Sequence, residues 1–119
     1  MRRLQAPPPF PYGRVERLWE GETVVCLASG PSLTPADVEY VRGKARVIVI
    51  NTTVLLAPWA DVLYACDARW WQWHHKTVKG FAGMKFALTK ASAPFGVTVL
   101  RNTGATGLEH SSLTLAARA

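Results

Sequence analysis

Short apolar runs alternate along this chain with segments of helical spacing, and that alternation sets the expected architecture. Residues 22–29 (ETVVCLAS) and 45–51 (ARVIVIN) are β-branched and apolar almost without interruption, as strands buried on both faces are. Residues 61–67 (DVLYACD) read as a third strand, and 84–89 (MKFALT) and 96–101 (GVTVLR) as two weaker ones. Residues 34–43 carry a helix signature: Thr34 as N-cap, Pro35 at the first helical position, Asp37 completing a capping box, Gly43 as the stop. Residues 52–57 give one helical turn that Pro58 ends, because the residue before a proline is pushed out of the α region. Residues 68–80 (ARWWQWHHKTVKG) read as a helix closed by Gly80, and the tail 108–119 also has a helical pattern.

Strands alternating with helical crossovers predict an α/β, Rossmann-like three-layer fold with a mainly parallel sheet of about five strands and right-handed connections. Residues 1–20, Pro-rich at 7–11, lack a sustained period and are expected to form an arm or cover strand. The expected domain is 21–119. A chain of 119 residues holds one such domain and buries a real core.

Composition narrows the class. Apolar residues make up 49% of the chain and charged ones 18%, so a globular fold is expected rather than disorder. No apolar run approaches the ~18 residues that a membrane span needs. Arg2 and Arg3 are not followed by an apolar stretch, so a secretory signal is not expected and a cytoplasmic location is. Cys26 and Cys66 lie inside apolar runs and read as reduced, core-filling thiols; with His74 and His75 they make no zinc spacing. The net charge of +6 comes from scattered residues without a dense basic run. That pattern suits a solvated surface with a field that favours an anionic ligand, not a nucleic-acid groove.

In open α/β sheets ligands bind beyond the carboxyl ends of the strands, near the switch point. Small polar groups stand at each expected strand end: Ser29-Gly30, Asn51-Thr52-Thr53, Asp67, Thr89-Lys90 and Asn102-Thr103-Gly104. At the first, Gly30 lets a ligand approach the backbone, Pro31 stiffens the turn, and Ser32 offers a hydroxyl and an N–H. The helix that follows would point its N-terminus into the same crevice, a place for a phosphate or carboxylate. A tight turn without a ligand is the alternative. Neither a P-loop lysine nor the three-glycine dinucleotide pattern is present. On the next helix Trp70 and Trp73 share a face, with Trp71, His74 and His75 around it. These rings are expected to fill core, with base stacking or a subunit interface as the alternative. His110 stands beside Glu109.

The strand, the Gly30-Pro31-Ser32-Leu33 turn, the helix, Asn51 and Asp67, in that register, resemble a family of uncharacterised proteins that includes archaeal 6-hydroxymethylpterin diphosphokinases. Phage-encoded relatives of that family carry similar runs. The turn and asparagine also resemble bacterial sialyltransferases that use a CMP-linked donor, in which both contact the nucleotide. Over about residues 22–104 the resemblance implies a nucleotide- or phosphate-binding domain of a transferase, and a domain shortened at its C-terminal end. It implies that Ser29, Gly30, Pro31 and Ser32 cradle a phosphate or ribose, with Asn51 and Thr52 at the nucleoside. Asp67 would hold a ribose hydroxyl or a Mg²⁺ ion brought with the phosphates. Ser29 stands where the sialyltransferases have asparagine, and none of His74, His75 and His110 matches their catalytic histidine. A second class, a non-catalytic binding or assembly protein that keeps the fold, follows from the Trp-rich helix, which would make the chain self-associate. A nucleic-acid-binding module is the third.

Overall fold

The computed structural model describes residues 10–15 and 19–101. Five strands form one open sheet in the order β1 (Val24–Leu27), β2 (Arg46–Ile50), β3 (Val62–Tyr64), β4 (Met84–Ala87) and β5 (Thr98–Val99), all parallel. The expected α/β architecture is met, and each strand is shorter than its apolar run suggested. The carboxyl-terminal residues of those runs leave the ladder to become the turns.

Between the strands run α1 (Pro35–Val41), a 3-10 helix (Asn51–Leu55), α2 (Ala68–His74) and a second 3-10 helix (Lys90–Phe95). The α1 start is as read from sequence: Thr34 Oγ1 accepts from the Asp37 N–H, and Asp37 Oδ2 accepts from the Thr34 N–H. Pro35 opens the helix, and Gly43 just beyond it has a φ of +75°. α2 ends at His74 rather than running to Gly80. Beyond it the backbone tightens into three-residue turns, Lys79 N–H to Lys76 and Phe81 N–H to Val78, which bring Val78 and Phe81 onto the core. The second 3-10 helix contains Pro94 and has no periodic signal in the sequence.

The strand order never reverses, so each crossover steps in the same direction across the sheet. Right-handed crossovers of that kind all fall on one face. The core agrees. On that face Val47, Val49, Leu63 and Ala87 of the strands pack with Val38 of α1, Val54 of the first 3-10 helix and Trp71 of α2. The other face carries the alternate residues Ile48, Val62 and Phe86, and is covered by Val15 and Trp19 from the segment before β1. Gly13 bridges to Leu100 beside β5, with its N–H donated to the Val99 carbonyl, and a Cβ on Gly13 would collide with Thr98 Cγ2. Crossovers, sheet and N-terminal segment thus make the layers. The tail 108–119, His110 and the expected turn Asn102-Thr103-Gly104 lie outside the described residues.

The thiols depart from expectation. Cys26 and Cys66 are both exposed instead of filling core, because they alternate onto the face opposite the helices, where cover is partial. β2 separates their strands, so two inter-strand spacings of roughly 4.8 Å each keep them beyond disulfide reach. No helix among the described residues is long and apolar enough to cross a membrane.

Leu63, fully buried on the central strand, sets the first test. Leu63→Ala is expected to cost about 2–5 kcal/mol in urea unfolding. Leu55→Ala, at a side chain 60% exposed, is expected to stay within about 0.5 kcal/mol.

Candidate functional site at the carboxyl ends of the strands

All five strands point their carboxyl ends the same way, so one rim of the sheet collects the turns that follow them. Continuing the Leu27–Val49 register by two residues brings Ser29 beside Asn51. Continuing Tyr64–Phe86 by three brings Asp67 beside Thr89, and continuing Ala87–Val99 by two brings Thr89 beside Arg101. Ser29 and Asn51 therefore stand in one row and Asp67, Thr89 and Arg101 in another, two residues further out because the Ile50–Tyr64 register puts Asn51 level with Ala65; all five are exposed.

Each group is held by a local device. Ser29 Oγ and Thr53 Oγ1 share a hydrogen bond of 2.5 Å that ties the β1 turn to the buried Thr53 of the 3-10 helix. Asn51 has a φ of +51°, the only left-handed residue besides glycine among those described. An L residue pays for that backbone, and asparagine tolerates it best because its short amide bonds locally. The kink turns the chain from β2 directly into the 3-10 helix and leaves Asn51 and Thr52 at the rim. Asp67 caps α2, its Oδ1 accepting the Arg69 N–H at 3.0 Å. The Thr89 hydroxyl donates to the Cys66 carbonyl at 2.8 Å and lies 2.7 Å from the buried Ser92 hydroxyl, which joins the β3 and β4 ends.

Gly30-Pro31-Ser32-Leu33 closes as a tight turn, with the Leu33 N–H donated to the Gly30 carbonyl at 3.2 Å. A Cβ on Gly30 would meet only open space, so the protein itself does not demand glycine there. The expected anion site at the start of α1 meets an electrostatic obstacle. Asp37 already places a carboxylate at that helix end and takes one backbone donor, while Thr34 takes another. The helix has only seven residues, too short to focus a strong field.

The three tryptophans do not act as one surface. Trp71 is fully buried, its Nε1 donating to the Ala65 carbonyl at 2.8 Å. Trp70 is half-buried, edge-on to Trp71 and tilted against His74, and its Nε1 is buried without a partner among the described residues. Trp73 is 69% exposed, so it does not share the environment of Trp70 as the helical spacing suggested. His74 stacks near Trp70, and His75 stacks near Phe95 with Nδ1 2.9 Å from the Trp71 carbonyl oxygen. Both histidines are therefore braced against rings.

Among the described residues no three His, Cys, Asp or Glu side chains gather as a metal set. Asp67 keeps one carboxylate oxygen outside the helix cap, which fits a cation held mainly by a ligand's phosphates and not a protein cage. The second carboxylate of its strand, Asp61, lies at the opposite rim. There it accepts the Val47 N–H at 2.8 Å and pairs with Arg46 at 3.5 Å, beside the Arg46–Glu22 pair at 3.3 Å. A cleft of about 640 Å³ runs along that rim past Arg42, Lys44 and Trp59. Its ion pairs brace the starts of β1, β2 and β3.

Sequence reasoning missed the cations Lys90 and Arg101 as a pair. Lys90 Nζ lies 5.7 Å and the Arg101 guanidinium 5.4 Å from the Tyr12 ring centroid, and Lys90 also lies 5.5 Å from that of Phe10. Only the strand register brings them together.

Below the rim, Tyr64 has its phenol pushed far above the ordinary value, by burial first and then by the Cys66 thiol beside it. Partial loss of water around the Cys26 thiol also pushes it up, although the residue as a whole is exposed. Below about pH 10 the Tyr64 phenol is neutral in both folded and unfolded chains, and the full stability is kept. Above that, the unfolded chain loses a proton that the folded chain retains, so stability falls. Unfolding midpoints between pH 7 and pH 11 are expected to drop in the native chain and to drop less in Tyr64→Phe. At Asn51, Asn51→Gly is expected to keep stability, whereas Asn51→Val lowers it by about 1–2 kcal/mol.

Compared with known proteins, the chain matches no family model, no curated protein and no solved structure.

Proposed function

We propose that this chain is a ligand-binding α/β domain that takes a nucleotide or a phosphorylated small molecule along the carboxyl-terminal rim of its sheet. The observation that carries the reading is Asn51. A left-handed backbone at an exposed asparagine, at the carboxyl end of β2, is a strained conformation on the rim where open parallel sheets hold ligands, although the unreversed strand order gives this sheet no switch point. Ser29 and Thr52 flank it with hydroxyls, and Gly30 leaves the space above the turn open. In this reading the Asn51 amide bonds the nucleoside, while Ser29, Gly30, Pro31 and Ser32 line the ribose side. Asp67 takes a ribose hydroxyl, or a Mg²⁺ ion that arrives with the phosphates. The reaction class implied by the resemblance is transfer, of the diphosphokinase or the nucleotide-sugar glycosyltransferase kind.

A second reading has its own observation. Trp73 is 69% exposed, and Leu55 and Leu56 are 60% and 46% exposed on the same helical layer. Solvent-facing apolar side chains of this size suit a contact with another chain, and a binding or assembly protein would use them.

Thermal unfolding against CMP, CTP, AMP, ATP, GTP and a CMP-sugar, each with and without Mg²⁺, separates the two. A ligand at about 100 times its dissociation constant adds roughly 2.7 kcal/mol, a shift of several degrees for a domain of this size. One nucleotide is expected to raise the midpoint, and the rise is expected to vanish in Asn51→Gly, which keeps the backbone and removes only the amide. If no nucleotide moves the midpoint, the rim is not a nucleotide site. Sedimentation of the native chain as a dimer that Trp73→Glu dissociates would then support assembly.

A further inference from the structure

The rim is electrostatically uneven, and its positive end is not where the sequence suggested. From β1 to β2 it offers only hydroxyls and an amide, Ser29, Ser32, Asn51 and Thr52. Asp67 at β3 is negative. Past it, the turns after β4 and β5 carry Lys90 and Arg101, both exposed. The salt bridges among the described residues include neither of them. Both cations thus lie within cation–π range of one ring, and neither forms an ion pair among the described residues.

Like charges held together in this way repel, and side chains of this length gain entropy by moving apart. The packing opposes that. Phe10 and Tyr12 are half-buried, their centroids 4.8 Å apart, and the Tyr12 ring lies within cation–π range of both charges. Gly13, one residue on, is pinned to the β5 edge by the Val99 carbonyl, with no room for a Cβ against Thr98. Thr89, preceding Lys90, is tied to Cys66 and Ser92. Both backbones are therefore fixed, and the rings back the cations while leaving them exposed on their other side.

We propose that Lys90 and Arg101 form the phosphate-binding end of the rim, with Tyr12 of the N-terminal segment as the residue that positions them. An Arg fork and a Lys point charge at the same end of the rim suit a phosphate or diphosphate. The rest of the ligand then extends past Asp67 toward Asn51. This rests on the rim reading above and reverses its expected polarity: the phosphates lie at β4–β5, and the Gly30 turn meets the neutral end. A Mg²⁺ ion at Asp67 would sit between the two.

The test uses pyrophosphate as the probe, titrated calorimetrically into the full chain at fixed ionic strength. Saturable binding is expected, weakened at least tenfold in the double variant Lys90→Gln/Arg101→Gln. Lys44→Gln at the opposite rim serves as the charge control and is expected to bind as the native chain does. Tyr12→Leu is expected to weaken binding several-fold, and Tyr12→Phe, which keeps the ring, to restore it. Unchanged affinity in the double variant, no saturable binding by the native chain, or an equal loss in Lys44→Gln overturns the proposal. Tighter binding by Tyr12→Leu overturns the role given to Tyr12. The nucleotide panel stays independent. A nucleotide shift lost in Asn51→Gly but kept in the double variant defeats this inference alone. Pyrophosphate binding lost in the double variant, with no nucleotide bound, defeats the nucleotide reading alone.

Discussion

Two neighbouring parallel strands cannot be joined by a hairpin; the chain must cross over the sheet and begin the next strand from the same end. In this protein every crossover also steps the same way, from β1 through to β5. Right-handedness then places every helical segment on one face. The rest of the molecule adapts to that imbalance. Val47, Val49 and Leu63 are buried by helices, but Ile48, Val62 and Phe86 would face water without Val15 and Trp19. The segment before β1 is thus part of the packing and not an appendage.

The same constraint polarises the two rims. At the amino ends of the strands, Arg46 sits between Glu22 and Asp61, and Asp61 also accepts a backbone N–H from β2. Charges there are matched and serve as braces. At the carboxyl ends the groups are satisfied by short hydroxyl links, Ser29 to Thr53 and Thr89 to Cys66 and Ser92, while the charged side chains remain outside those links. One rim is braced by ion pairs and the other by hydroxyl links.

What could be read from the residues was what local chemistry decides. Continuous β-branched runs fixed β2, and Thr34, Pro35 and Asp37 fixed the start of α1, because each depends on neighbours a few positions away. The place of Asn51 at a strand end was legible, but its left-handed backbone was not. Strand order was also hidden: VIVI says that β2 is buried on both faces, not which strands flank it. The tryptophans show the limit well. Trp70, Trp71 and Trp73 are the same residue within one turn of helix, yet one is core, one half-buried and one exposed. The rotation of α2 decides this, and the Ala65 carbonyl that receives Trp71 Nε1 fixes that rotation from outside the helix. Phe10 and Tyr12 lie in a Pro-rich stretch without period, so nothing local announced that they meet Lys90 and Arg101.

The bridge from Gly13 to Leu100 also bears on the order in which the molecule can assemble. All the strand pairs join consecutive strands, so each can form once the next crossover and strand have been made, at a modest cost of loop closure. The Gly13 contact joins the two ends of the described chain and must wait for β5. Until then the Ile48, Val62 and Phe86 face lacks the clasp that holds its cover in register. On a ribosome the nascent sheet would spend that interval with one side sticky, the period in which such a chain has most need of a chaperone.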